Sequence, residues 1–158
     1  MIYLGIDPGL SGAICVFNMT EGSIDIIDMP TVEVTRNAKS KREVSAQLLS
    51  SEISNALLKG RAVAFLERVG AMPGQGVTSV FSFGRSVGIV EGVLASFDIP
   101  TTIVPPAVWQ KAVGVRGGKD GSRERAMQIF PAAAPLFARK KDDGRSDAAL
   151  IAYYGSSL

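Results

Sequence analysis

The sequence predicts an α/β fold, with one mixed sheet covered by helices on both faces. Three observations predict it. Short apolar runs of strand length recur, each closed by turn residues. Segments of helical period alternate with the later runs, as crossovers between parallel strands require. The composition, 46% apolar and 20% charged over 158 residues, suits a packed core and argues against disorder.

The elements follow in order. Ile2 to Asp7 is an apolar strand stopped by Pro8-Gly9. Ala13 to Phe17 and Ile24 to Met29 are two further strands, and the short links at Gly12 and Glu21-Gly22 favour antiparallel hairpins. Residues 31–41 are polar and basic without periodicity, which predicts a mobile loop. Val44 to Leu58 places Val44, Leu48, Leu49, Ile53, Ala56 and Leu57 at helical spacing, with Gly60 as a stop. Ala62 to Glu67 is a fourth strand and again ends in an acid. A Gly/Pro-rich loop, 70–76, leads to a long helix over about 77–97. Ile99 to Val104 is a strand closed by two prolines, and Val108 to Val113 is a short helix. Arg116 to Gly121 is a basic Gly-rich loop. Ser122 to Phe130 is a helix ended by Pro131, with Ser122 as its expected N-cap. The last helix covers about 144–154, with Asp142 or Asp143 as its N-cap. One domain over 1–158 is expected, with no repeat and no linker.

Composition narrows the chemistry. Histidine is absent and Cys15 is the one cysteine. His-dependent triads, His-ligated zinc sites and internal disulfides are therefore excluded. No secretory pattern and no uncharged apolar run of about 20 residues is present, so a cytoplasmic protein without a membrane is the expectation. Net charge is +2 but uneven: residues 101–158 carry 9 Lys and Arg against 5 Asp and Glu, and residues 1–100 carry 8 against 10. The basic stretch from Lys111 to Arg145 is either solvated surface or a phosphate-binding face.

The remaining chemistry belongs to carboxylates. Asp7 and Glu67 end apolar strands, where an acid is costly to hold unless a cation compensates it. Asp143 and Asp147 are four apart at the start of the last helix and share one face. Oxygen donors without His or Cys suit Mg²⁺ or Mn²⁺. If the four acids converge, they can hold two ions about 4 Å apart, a pair that activates water and stabilises the leaving oxygen of a phosphodiester. Read one at a time, Asp7 is also a turn residue, Glu67 a surface partner of Arg68, and Asp143 a helix cap. Gly84, Gly88 and Gly92 lie on one face of the long helix. Glycine costs a helix up to about 1 kcal/mol per residue, so a close approach to the sheet or to a partner helix is expected there.

Gly5-Ile-Asp7-Pro-Gly-Leu-Ser-Gly12-Ala resembles the opening of the RuvC-type Holliday junction resolvases, members of the retroviral-integrase/RNase H superfamily. Phe65-Leu-Glu67, Ser82-Phe-Gly84 through Gly92-Val-Leu94 and Ile99 to Pro105 are similar to the segments that follow in that family. Trp109-Gln-Lys111, Gly118 to Arg125 and Asp142 to Leu150 extend the likeness over nearly the whole chain, closer to phage-type versions than to the housekeeping bacterial enzyme. The resemblance implies an RNase H-like fold with a mixed five-stranded sheet. It implies two Mg²⁺ per site, with Mn²⁺ possible, held by Asp7, Glu67, Asp147 and Asp143. The family commonly spaces its final acids by three, and here that position is Gly144, so Asp143 takes the place and Asp142 is the fallback. It implies a homodimer that nicks symmetric strands of a four-way junction and leaves 5′-phosphate ends, with Gly84, Gly88 and Gly92 at the dimer contact. Lys111, Arg116, Lys119, Ser122, Arg123 and Arg68 are the expected DNA contacts. Lys119 either neutralises the transferring phosphate or binds one nearby. Met72 either wedges between bases or caps the core. Trp109 and Phe130 are expected in the core.

The same acids also suit an RNase H-fold nuclease for other branched DNA or hybrids. A junction-binding module without cleavage is a third reading. An actin-like ATPase shares the opening loop, but needs a second lobe. Partnership with a branch-migration motor cannot be read from these residues.

Overall fold

The computed structural model describes residues 1–158 apart from Met72 and the side chains of Arg36 and Lys119. In chain order the strands are β1 (Ile2–Asp7), β2 (Ala13–Asn18), β3 (Ser23–Asp28), β4 (Thr31–Arg36), β5 (Lys39–Val44), β6 (Ala62–Glu67) and β7 (Thr101–Val104). The helices are α1 (Ala46–Leu57), α2 (Val77–Ser96), α3 (Pro106–Val113), α4 (Gly121–Ile129) and α5 (Asp143–Ser156). Short 3-10 segments lie at Gly118–Asp120, Pro131–Phe137 and Lys140–Asp142.

The main sheet has the order β3-β2-β1-β6-β7, with β1 to β3 antiparallel and β6 and β7 parallel to β1. It is the mixed five-stranded sheet the sequence predicts. Strand alternation divides the core into two halves. Ile2, Leu4 and Ile6 of β1 pack with Ile14, Val16, Ala64 and Leu66 against α1 and α2. Cys15, Phe17 and Phe65 face the other way, onto α3, α4 and α5. Cys15 is wholly buried, and that burial pushes its thiol pKa up, so it is inert.

Two features of α5 let it lie directly on the sheet. Its middle, Ala148 to Ala152, is fully buried and mostly alanine. Opposite it, β1 has Gly5, where an added Cβ would stand 2.1 Å from the Ala148 carbonyl oxygen and 2.3 Å from the Ala152 nitrogen. Backbone thus meets backbone, and any side chain at Gly5 would hold the two apart.

Several boundaries differ from expectation. Residues 31–41 are no loop; β4 and β5 form a two-stranded antiparallel ribbon. The ribbon escaped periodicity because it buries almost nothing, and alternation shows only when one face meets a core. Val44 therefore belongs to β5, and α1 starts after Ser45, whose side chain accepts from the Leu48 N–H. Helix α3 starts earlier, with Pro106 in its first turn, where proline loses no hydrogen bond. Strand β7 begins at Thr101, two residues later than Ile99.

Helix α2 packs through Ser86, Val90, Val93 and Leu94. Its glycines do not touch the sheet: a Cβ on Gly84, Gly88 or Gly92 would meet nothing within 4 Å. Close packing within this chain is thus not what the stripe serves. By length and composition α2 is apolar enough to cross a membrane, but Arg85 and Glu91 interrupt it, so it is not an uncharged run.

Candidate active site

Asp7 and Glu67 are the last residues of two adjacent parallel strands. The β1–β6 register pairs Ile6 with Leu66, so the two acids follow side by side. Neighbouring strands run about 4.8 Å apart. Alternation turns both toward the face covered by α5, because Ile6 and Leu66 point into the opposite half of the core.

The loop after β1 folds back over Asp7. The Gly9 N–H donates to Asp7 Oδ1 at 3.1 Å. A Cβ on Gly12 would lie 2.2 Å from the Asp7 carbonyl oxygen. The first turn of α5 closes onto the same loop at Gly144, where a Cβ would stand 2.4 Å from the Ser11 carbonyl oxygen and 3.1 Å from Asp7 Oδ2. The site therefore has no room for a side chain at Gly144, the position where the resemblance leads one to expect an acid. One turn on, Asp147 is half-buried, and the Ser122 hydroxyl donates to its carboxylate.

The three acids feel one another's charge. Burial, then Asp7 and Asp147, push Glu67 up to about 7, against a bond from Trp109 that lowers it. Burial lifts Asp147 to about 6, with Asp7 and Asp143 adding repulsion against the Ser122 bond. Burial also raises Asp7, opposed by the Gly9 N–H. Asp147 Oδ1 is buried and has no hydrogen-bond partner. An all-oxygen donor set with an orphaned carboxylate oxygen fits a hard divalent cation. Among the described residues, no three acids stand close enough together as placed to ligate one ion. The fit therefore lies in donor chemistry and charge, not in a finished cage.

A pH dependence follows. The folded protein keeps protons on Glu67 and Asp147 that the unfolded chain sheds near 4.5 and 3.8. Stability of the metal-free protein should fall as pH rises between those values and about 7 and 6 respectively, and level off above. Asp28 and Asp142, whose pKa values are lowered, work in the opposite sense only below their ordinary 3.8. Thermal unfolding in a chelator at pH 5 and pH 8 checks this. Glu67→Gln should flatten the difference, and a midpoint that rises from pH 5 to pH 8 would contradict it.

The remaining expected residues separate. Asp142 is 1% exposed and its carboxylate takes three bonds from the Arg139 guanidinium, so its pKa is pushed down. It stands at the N-cap position of α5 without capping it. Asp142 is a brace and not a spare ligand. Asp143 is exposed in the first turn of α5, with Oδ1 3.2 Å from Arg123 Nε, and close enough to raise Asp147. Arg123 corrects the expectation of a DNA contact: it is 8% exposed, paired with Asp120 and Asp143, and donates to the Ala138 carbonyl. It ties α4 to the chain leading into α5. Ser122 is likewise not the N-cap; α4 starts at Gly121 after Asp120, and the Ser122 hydroxyl serves Asp147. Lys111, Arg116 and Arg68 are exposed. Met72 and the Lys119 side chain lie outside the described residues.

Trp109 does more than fill the core. It is fully buried, and its Nε1–H donates to Glu67 Oε1 at 3.1 Å. A buried indole N–H needs an acceptor, and that signal was present in the sequence. Trp109→Phe should keep the fold but release the Glu67 carboxylate, raising its pKa further. The expected result is a Glu67 carboxyl that titrates at higher pH by NMR. An unshifted titration would make the bond structural only.

The fold and the strand-end acids define a class: an RNase H-like domain with a carboxylate site at the carboxyl ends of its central strands. No family model matches the chain. Over 87 residues, 51% of the chain, it is 37% identical to Holliday junction resolvase MOC1, chloroplastic, of Chlamydomonas reinhardtii. That match spans 9% of the relative's own length. The structure of T. thermophilus RuvC in complex with Holliday junction substrate aligns with a TM-score of 0.62 at 14% identity, covering 99% of this chain and 96% of that one. A second Thermus thermophilus RuvC structure aligns at 0.55 and 13%, with the same coverage. The chain thus has the fold of the RuvC structures over nearly its whole length, and half of its sequence is similar to a short part of a resolvase.

Proposed function

We propose that this protein is a divalent-metal-dependent endonuclease that resolves four-way DNA junctions by paired symmetric nicks. The observation that carries the reading is the juxtaposition of Asp7 and Glu67 on one face, with half-buried Asp147 repelling Glu67 from α5. Its support is the likeness of the fold to a RuvC seen with a Holliday junction substrate.

In this reading Asp7, Glu67 and Asp147 would hold two Mg²⁺ ions, with Asp143 at the rim as the fourth acid. Such ions supply an activated water and charge stabilisation for the leaving oxygen. The chain's own residues do the positioning. The Gly9 N–H orients Asp7, the Trp109 N–H orients Glu67, and the Ser122 hydroxyl orients Asp147. Lys111, Arg116 and Arg68 offer exposed cations for phosphates, which fix DNA position without reading sequence. Lys119 is proposed to neutralise charge near the scissile phosphate. A homodimer supplies two sites related by a twofold axis, and the outward glycine stripe of α2 is its proposed contact.

The test is cleavage of a synthetic mobile junction with each strand labelled in turn, with Mg²⁺ or Mn²⁺. Paired nicks on opposing strands are expected, with ends that a ligase seals. Preferred cutting of flaps or hybrids would favour another RNase H-fold nuclease, and binding without cutting would favour a recognition module.

A further inference from the structure

We propose that Arg123 is a positioning residue for the candidate site: its guanidinium clamps the basic loop that carries Lys119 against the start of α5, so that the loop and the acids keep one geometry. This rests on the nuclease reading above and adds to it the device that joins the cation of that reading to its carboxylates.

The loop between α3 and α4 needs such a device. Gly114, Arg116, Gly117, Gly118 and Asp120 are exposed, and Val115 is half-buried. Gly117 and Gly118 take positive φ, 91° and 69°, a backbone that glycine adopts without steric cost. A segment with few buried contacts has little of its own to hold it still. Helix α4 pins it instead. At its start, Arg125 Nε donates to the Val113 carbonyl at 2.6 Å. At its end the chain turns back on itself at Gly121, where a Cβ would stand 2.1 Å from the Arg116 carbonyl oxygen.

Arg123 then gathers three segments. Nη2 pairs with Asp120, the residue after Lys119. Nη1 donates at 3.2 Å to the carbonyl of Ala138, just after the 3-10 segment Pro131–Phe137. Nε stands 3.2 Å from Asp143 Oδ1 in the first turn of α5. A planar fork can address three directions at once, and a lysine ammonium, a point charge, cannot do so in the same geometry. The residue is largely buried, so salt screens these pairs less than surface ones.

The arms are unequal. Among the described residues, Nε is buried with no hydrogen-bond partner, so Asp143 is held by charge and not by a directed bond. The Asp120 arm is the directed one. The preceding residue, Ser122, serves Asp147. Two consecutive residues in the first turn of α4 thus hold the two acids of α5, and one of them also holds the loop.

The experiment uses the full chain. Asp120→Asn cuts the loop arm alone, at an exposed residue, so the thermal midpoint should barely move. Without metal or DNA, hydrogen exchange of the amides of 116–120 should quicken roughly 10-fold while α5 stays as it is. At saturating junction, cleavage should slow roughly 10-fold. Junction affinity should hold or tighten, because an acid is lost near phosphates. In a Lys119→Ala background the same change should cost less than about two-fold, since the cation it positions is gone. Arg123→Lys should show the same exchange and rate, and joining it to Asp120→Asn should add little. Wild-type exchange over 116–120 in Asp120→Asn would overturn the clamp. An equal loss of rate in both backgrounds, or a weakened affinity that accounts for the loss, would overturn its positioning role. A wild type that cuts no branched DNA sinks the nuclease reading, while the exchange still decides whether the clamp exists.

Discussion

Asp7→Asn should abolish cleavage, by on the order of 10³-fold or more, while junction binding stays within a factor of about two. Asn keeps the shape of the side chain and an oxygen that accepts from the Gly9 N–H, so the turn should survive. It removes one negative charge from a group of three acids that repel one another. That loss predicts a second, opposite effect. Without metal the variant should be at least as stable as the wild type, because burial and like charge penalise the Asp7 carboxylate. With Mg²⁺ the order should reverse, since the wild type gains stability from the bound ion and the variant gains little. Single-turnover cleavage of a labelled junction, binding at matched salt, and melting with and without Mg²⁺ measure all three. Near-normal cleavage in the variant would remove Asp7 from the chemistry, and with it the reading of the strand-end acids.

The second large effect is on stability. Gly5→Ala should destabilise the protein by about 3 kcal/mol or more, and it adds only a methyl group. The new Cβ would sit 2.1 Å from one backbone atom of α5 and 2.3 Å from another. Neither can rotate away as a side-chain tip can. Helix α5 would have to lift off the sheet, opening the layer formed by Ala148, Ala149 and Ala152. The shift would also carry Asp147 away from Asp7 and Glu67, so cleavage should fall together with stability. Urea unfolding gives the measure, and Gly70→Ala is the control. At Gly70, outside the α2 stripe, a Cβ meets open space and φ is not positive, so alanine should be neutral or stabilise by up to about 1 kcal/mol. A Gly5→Ala variant as stable as the wild type would show that α5 does not lie directly on β1.

Strand-end carboxylates were legible because the apolar runs that precede Asp7 and Glu67 make an acid there expensive, whatever the fold. The mixed sheet was legible for a similar reason, since its strands are buried and their apolar runs are local. The β4–β5 ribbon was not, because a strand with no buried face leaves no alternation to read. The roles of Arg123 and Ser122 were also misread. A cation or hydroxyl beside a basic loop looks like a phosphate contact until Asp120, Asp143 and Asp147 are seen to occupy it.

Local chemistry alone was enough to establish the first three strands, the carboxylate character of the site and the absence of histidine chemistry, since each depends on residues adjacent in the chain. Contacts between distant segments governed the rest: the brace at Asp142, the tie from Trp109 to Glu67, the outward turn of the α2 glycines, and the closure of α5 over Gly5, Gly12 and Gly144. The physical reason is that a glycine or a buried polar group declares a need for space or for a partner, but its neighbour is chosen by how the layers pack.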